Sequence, residues 1–354
     1  MSDINPDSWT IRSCLEWTEA YLRRHDQENP RLTAQWLLAV ATGLKRIELY
    51  MQYDQPLTDA ERDTLREVIL RRLQGEPLQY ISGRAAFRHL ELAVRPGVLI
   101  PRPETETLVE LVLAELKPAK PMQAGLEQAA SSAMVEQGQT EQGQDNQPLT
   151  DLPLADLKPA DNPQKVLEIG CGSGAIALSL VYELPGLSVW ATDISSEAVA
   201  LTRENAERLG LSDLEPADQP GRLTDQPGRL TVIQDDLASS LVDDPQQQAS
   251  FAVVVSNPPY IPTSELADLA IEVRDFEPLI ALDGGEDGLD IYTRLLEQAF
   301  LLLQPNGLLA VELYETKLQK AANLAEQAGY IDTQIHTDLT GRQRFLTARK
   351  PINV

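Results

Sequence analysis

The sequence predicts an α/β protein, a doubly wound, mostly parallel sheet preceded by a small helical bundle. From Lys165 onward, short apolar runs alternate with amphipathic helical patterns, the rhythm of parallel strands joined by crossover helices. One of these runs enters a glycine-rich turn and then an apolar helix. Another, residues 251–255, is apolar at every position, as a strand buried on both faces should be.

Composition bounds the problem. A chain of 354 residues with 42% hydrophobic content can form two globular domains with a sizeable core. No apolar run reaches the roughly 18–20 residues that span a bilayer, so no membrane partner is expected. The opening Met-Ser-Asp-Ile-Asn-Pro-Asp lacks the basic and apolar regions of a secretory signal. Cys14 and Cys171 give neither a disulfide framework nor metal-ligand spacing, which points to the reducing cytoplasm. His25, His89 and His336 are scattered, and no metal site is expected. Of the net charge of −24, residues 1–100 contribute little, with 14 acids against 13 bases. Enzymes that track a duplex ordinarily show a basic face. Despite a local cluster at Arg62, Arg66, Arg71 and Arg72, the charge argues against direct nucleic-acid binding.

Residues 1–75 read as a helical domain. Ser8 is placed to cap a helix bearing Trp9, Leu15, Trp17 and Tyr21, and a second runs from about Arg31 to Gly43. The third has the fullest signature. Thr58-Asp59-Ala60-Glu61 forms a capping box, Leu65, Val68, Ile69 and Leu73 recur at helical spacing, and Gly75 ends it. The aromatic positions read first as core, although a bundle fused ahead of an enzyme often presents the substrate.

Residues 76–102 change to period two, and 84–95 reads as a β-hairpin linking the two domains. Pro103 then fits the first turn of a helix that carries Glu104 and Glu106 near its positive end and continues to about Leu116. On spacing alone Arg102 and Glu104 read as a domain-junction ion pair. Within the remaining segment, 103–354, two stretches read as disordered insertions. One is 117–163, rich in Gln, Ala, Pro, Gly and Asp; the other is 212–228, where Asp-Gln-Pro-Gly-Arg-Leu-Thr starts at Asp218 and repeats from Asp225.

The first strand of the sheet, Val166-Leu167-Glu168-Ile169, runs into Gly170-Cys171-Gly172-Ser173-Gly174-Ala175, and a helix follows to about Leu184. Glycines there allow positive φ and close approach of a ligand, while the helix N-terminus points N–H groups at it. Cys171 has no identifiable base and reads as a small packed residue. A second strand, 187–193, ends in Asp193. It lies about 20 residues beyond the turn, where a carboxylate accepts hydrogen bonds from both hydroxyls of an adenosine ribose. Ser195 or Ser196 caps the next helix. Strands follow at 230–234, ending in Asp235-Asp236, at 251–255 and at 307–313, with helices over 289–303 and 317–329. Two antiparallel strands, 333–336 and 344–349, finish the sheet. Right-handed crossovers place the ligand crevice above the first and fourth strands.

The fourth strand stops at Asn257-Pro258-Pro259-Tyr260. Two prolines cannot continue a ladder and carry no N–H. Asn257 and the carbonyls of Asn257 and Pro258 therefore form a stiff set of acceptors, able to hold both hydrogens of an –NH2 group while Tyr260 packs behind it. For an isolated Asn-Pro, an ordinary exit loop is the plainer reading; the full tetrapeptide at this position is more specific. The glycine turn decides less. Gly170-x-Gly172-x-x-Ala175 satisfies the dinucleotide fingerprint of a dehydrogenase, whereas Gly-x-Gly-x-Gly at 170, 172 and 174 is the compact form of S-adenosylmethionine binders. The acceptor set separates them, since an amino-methyltransferase uses it and a dehydrogenase does not.

The order of these motifs resembles the protein-glutamine N5-methyltransferases that modify peptide chain release factors, the PrmC/HemK family. The matching stretches are 76–83 (EPLQYISG), 99–106 (LIPRPETE), 168–175 (EIGCGSGA), Asp193-Ile194-Ser195, 256–261 (SNPPYI), Glu277-Pro278, 281–289 (ALDGGEDGL) and Gly341-Arg342. The resemblance implies a five-helix amino-terminal domain and a class I S-adenosyl-L-methionine-dependent methyltransferase fold with a seven-stranded sheet. It further implies methylation of the glutamine in the Gly-Gly-Gln motif of release factors, by a cytoplasmic monomer.

By the same resemblance, Gly170, Gly172 and Gly174, with Cys171 and Ser173 between them, line the methionine moiety. Asp193 takes the ribose, and Asp236 and Leu237 flank the adenine. Asn257 touches cofactor and substrate; Pro258, Pro259 and Tyr260 complete the glutamine pocket, making Asn257, Pro258 and Tyr260 the implied catalytic residues. Two positions depart from the family pattern. Leu237-Ala238 stands where an aromatic pair often follows the third-strand acid, and Glu312-Leu313-Tyr314 stands where Glu-Ile-Gly is usual. An adenine-N6 methyltransferase acting on nucleic acid would share the Asn-Pro-Pro-Tyr logic. A binding module without catalysis, or a dehydrogenase, would make that motif incidental.

Overall fold

The computed structural model describes residues 9–117, 164–211 and 230–353. Ser8 and nearly all of the two expected insertions lie outside these. The first helix, α1 (Ile11–Arg24), is capped by Thr10, whose side chain accepts from the Ser13 N–H in a capping box. The N-terminal signal is therefore at Thr10, two residues beyond the serine that the sequence pointed to. Next come α2 (Pro30–Thr42), with Pro30 in its first turn and Gly43 left-handed at its end, and the short α3 (Arg46–Met51). Helix α4 (Asp59–Leu73) starts at the Thr58–Glu61 capping box as expected. A fifth helix, α5 (Leu78–Ser82), corrects the extended reading of the residues after Glu76.

Leu15, Leu22, Leu37, Leu38, Leu49, Leu65 and Ile69 fill the core between these helices. The aromatic residues do not all join them. Trp17 is 40% exposed, whereas Tyr21, on which it stacks at 4.9 Å, is half-buried against the helical core, so of this pair Trp17 alone departs from the expected core position. A hairpin follows, β1 (Arg84–Phe87) paired antiparallel with β2 (Leu90–Ala93), and then α6 (Thr105–Leu116).

The main sheet is built from β3 (Lys165–Ile169), β4 (Ser188–Asp193), β5 (Leu230–Gln234), β6 (Phe251–Ser256), β7 (Leu303–Glu312), β8 (Ile331–Thr337) and β9 (Gln343–Arg349). Its order is β5-β4-β3-β6-β7-β9-β8. All neighbours among the first five are parallel, and β9 runs antiparallel to both β7 and β8. Helices α7 (Ala175–Glu183), α8 (Ser196–Arg208), α9 (Ser239–Val242), α10 (Ile271–Arg274), α11 (Asp290–Leu302) and α12 (Leu318–Gln327) occur between strands. This is the doubly wound, mostly parallel, seven-stranded sheet that the sequence predicts.

All six residues of β6 are buried. Val253 and Val255 pack on one face with Leu108, Val112, Val166 and Ile176, while Phe251 and Val254 pack on the other with Leu167, Leu295, Leu309 and Leu346. An alternating pattern would have left one face polar; a strand covered by helices on both faces needs the continuous apolar run instead. The strand order reverses between β3 and β6, which opens a crevice at their carboxyl ends.

Candidate active site

That crevice is lined by residues from the ends of β3, β4 and β6, from the loop before α6 and from the segment leading into α11. Its floor is the glycine turn after β3. Gly170, Gly172 and Gly174 all adopt positive φ, and the N–H groups of Gly170 and Cys171 both donate to the Thr192 carbonyl at 2.8 and 3.0 Å. Asp193 closes the turn from β4. One carboxylate oxygen accepts from the Gly172 N–H and the other from the Ser195 N–H, each at 2.9 Å. Burial pushes the Asp193 carboxyl upward, against these two backbone donors. Glu168, deeper in β3, accepts from the Ala177 N–H at 2.8 Å, and its burial raises its pKa well above the carboxylate range.

Of the residues expected at the cofactor, Gly170, Gly172, Asp193, Asp236, Leu237 and Asn257 line the crevice. Cys171, Ser173 and Gly174 do not; they form the turn from behind. Cys171 is buried with its Sγ facing the Thr202 hydroxyl at 3.4 Å, and the Ser173 carbonyl accepts from Asn205 at 2.9 Å. A Cβ at Gly174 would lie 2.8 Å from Leu178 and 2.9 Å from Thr202, so the third glycine serves helix packing. Leu237, in the left-handed region, and Ile291 give the far wall an apolar surface, and Arg294 pairs with Asp236 at 2.7 Å on the rim.

On the substrate side, Pro258 and Pro259 line the crevice beside Asn257. The Asn257 amide donates from Nδ2 to Thr105 Oγ1 at 3.2 Å, and Thr105 donates onward to Glu312 Oε2 at 2.7 Å. No described residue donates to Asn257 Oδ1 or to the Pro258 carbonyl. Tyr260 stands behind the crevice. Its hydroxyl lies 3.5 Å from Glu312 Oε1, and its ring stacks on Tyr314 at 6.3 Å with only 9° between planes. Tyr314, which departs from the family's glycine, also donates to Glu265 at 2.8 Å and so fastens the exit loop. Burial pushes the Tyr260 hydroxyl upward and raises the Glu312 carboxyl to about 7.

The remaining motifs hold this geometry from outside. Tyr80 donates its hydroxyl to the carbonyl of Val98, a crevice residue, at 2.7 Å. Arg102 pairs with the buried Glu277 at 2.6 Å, fixing the neighbouring Pro278 on the crevice wall; it does not pair with Glu104, which instead faces Arg344 at 4.0 Å. Ile261 exchanges backbone hydrogen bonds with Leu282 and Gly284 at 3.0 and 2.9 Å, bracing the Asn-Pro-Pro-Tyr exit. Val98, Ile194, Ile280 and Ile291 were invisible as site residues because isolated apolar side chains carry no spacing signal. Thr105 and Glu312, 207 positions apart, meet only through the sheet.

Residues 13–83 match the family model of the PrmC N-terminal domain, and residues 149–272 match that of the methyltransferase small domain. A release factor glutamine methyltransferase from Geobacter sulfurreducens is 35% identical over 344 residues, 97% of this chain and 98% of that protein. This chain belongs to the release factor glutamine methyltransferase family. The Rhodopirellula baltica release factor glutamine methyltransferase is 35% identical over 98% of both chains. The human MTRF1L release factor glutamine methyltransferase is 34% identical, covering 97% of this chain and 88% of its own. The sheet is thus that of a class I S-adenosyl-L-methionine-dependent methyltransferase. In this chain the crevice suits that cofactor: a glycine turn beside the strand ends, the Asp193 carboxylate facing in, and an apolar wall from Leu237 to Ile291.

Proposed function

We propose that the protein transfers the methyl group of S-adenosyl-L-methionine to the side-chain amide nitrogen of the glutamine in the Gly-Gly-Gln motif of peptide chain release factors, modulating translation termination. One observation carries the reading: Asn257 Oδ1 and the Pro258 carbonyl, two acceptors with no donor among the described residues, lie next to the glycine turn at the end of β6. Bound S-adenosyl-L-methionine supplies an electrophilic methyl group. Asn257 Oδ1 and the Pro258 carbonyl accept the two N–H bonds of the substrate amide. An amide nitrogen is a poor nucleophile because its lone pair is delocalised into the carbonyl. Holding both N–H bonds favours the pyramidal nitrogen and aims its lone pair, and the same acceptors stabilise positive charge that develops there until one of the two nitrogen-bound protons is lost to water.

Gly170, Gly172 and the turn behind them receive the methionine end, Asp193 the ribose hydroxyls, and Asp236 and Leu237 the adenine. Tyr260 and Pro259 support the glutamine pocket. The exposed Trp17, backed by the half-buried Tyr21, fits recognition of the protein substrate by the helical domain, residues 1–75. We read the enzyme as a cytoplasmic monomer. A nucleic-acid adenine methyltransferase shares the tetrapeptide but lacks support from the relatives. Methyl transfer from radiolabelled cofactor to purified release factors tests the assignment, with a Gly-Gly-Asn substrate as control. Label confined to the glutamine protein is expected; label on neither, or on both, contradicts it.

A further inference from the structure

Asn257 can present its oxygen to the crevice only if its –NH2 end is held elsewhere, and the holding group is a hydroxyl. Thr105 Oγ1 has one proton. An ionised Glu312 can only accept, so the Thr105 proton goes to Glu312 Oε2 at 2.7 Å, leaving an oxygen lone pair toward Asn257. Asn257 must then turn Nδ2 to Thr105, the 3.2 Å contact observed, and Oδ1 faces the crevice. Thr105 and Glu312 are both buried, so water cannot easily substitute for either partner.

We propose that Thr105 and Glu312 are positioning residues that set the hydrogen-bond polarity of Asn257, so that Asn257 is an acceptor for the substrate amide only while Glu312 is ionised. A protonated Glu312 can donate to Thr105 Oγ1. The Thr105 proton is then free for Asn257 Oδ1, the amide turns over, and –NH2 faces a substrate that itself offers N–H groups. Two donors then confront each other and the nitrogen is no longer held.

The surroundings place this switch in a working range. Burial disfavours the Glu312 carboxylate, and Glu104 at the start of α6 adds like charge. Arg344 of β9 opposes them, itself shared with Asp338 at 2.8 Å and facing Glu104 at 4.0 Å. Tyr260 contributes its hydroxyl from the β6 side, and Arg102 is a further charge near that ring. The balance leaves Glu312 close to neutrality in its titration, at about 7.

The inference rests on the glutamine-methyltransferase reading for its purpose, but its test does not. In 15N-labelled protein, the Asn257 side-chain –NH2 signals, assigned by their loss in Asn257→Ala, are expected to shift between pH 5 and 9 with a midpoint near 7. They should stay fixed in Glu312→Gln. Signals that do not move in the wild type, or that move equally in Glu312→Gln, overturn the relay whatever the enzyme methylates. In turnover with the Gly-Gly-Gln substrate, Thr105→Val should lower kcat about tenfold or more with KM and cofactor Kd within about twofold, and Thr105→Ser should restore it. The acid limb of the kcat profile should vanish in Glu312→Gln. Wild-type kcat in Thr105→Val also overturns the proposal. Should Thr105→Val fail to fold, Thr105→Ser and the amide signals still decide. If the wild type labels no glutamine while the amide signals titrate as stated, the functional reading fails and the relay stands.

Discussion

Gly288 lies against the carbonyl oxygen of Tyr260 so closely that a Cβ there would overlap it, and its backbone sits at φ +81°. Neighbouring Gly284 is as tight, with a Cβ falling 2.7 Å from the Tyr260 Cα. The glycine-rich stretch 281–289 is therefore the seat on which the Asn-Pro-Pro-Tyr exit rests. Gly288→Ala combines left-handed strain with a backbone clash, and is expected to cost about 1–3 kcal/mol of stability. Urea unfolding measures that cost. Because the seat carries the acceptor set, kcat should fall further than the lost stability explains.

Tyr80 reaches the crevice from the helical side through its hydrogen bond to Val98. Tyr80→Phe leaves a buried carbonyl without its donor, a cost of about 1–3 kcal/mol. Val98 lines the crevice, so cofactor binding should weaken several-fold while kcat at saturating cofactor changes little. Calorimetric titration with S-adenosyl-L-methionine checks this.

Glu312 makes stability depend on pH in a direction opposite to most carboxylates. Its folded pKa is raised to about 7 from an ordinary 4.5, so the folded state holds the proton more tightly than the unfolded chain. Stability is then highest below about 4.5 and is lost as pH rises through 7, by at most about 3 kcal/mol. Compared by urea unfolding at pH 4.5 and pH 8, Glu312→Gln should gain on the wild type by about that amount. A difference that does not vary with pH would show that Glu312 titrates normally. The ionised form that costs stability is the one that orients Asn257, a trade common at functional sites.

The sheet was legible because its signals are local. The central strands β3 and β6 are short apolar runs, the glycine turn sits between strand and helix, and Thr58 to Glu61 spells a capping box. The crevice followed from topology, since the order reversal at β3 and β6 is dictated by right-handed crossovers. Less legible was everything set by long-range partners. Arg102 and Glu104 look like a pair in sequence, yet Arg102 finds Glu277 and Glu104 faces Arg344. Gly174 reads as a ligand contact because it shares a motif with Gly170 and Gly172, but its surroundings are Leu178 and Thr202. Trp17 reads as core by composition but is 40% exposed, stacked on the half-buried Tyr21 one turn on. Thr105 and Glu312 had no sequence signal as a unit: a threonine and a glutamate so far apart join only when α6 meets the end of β7.

The most direct measurement of the central claim is the split between turnover and cofactor affinity in Asn257→Ala. If Asn257 holds the substrate amide, kcat should fall about 100-fold or more while the Kd for S-adenosyl-L-methionine stays within about threefold. Equal losses in kcat and cofactor affinity would instead make Asn257 a cofactor-binding residue and contradict the account.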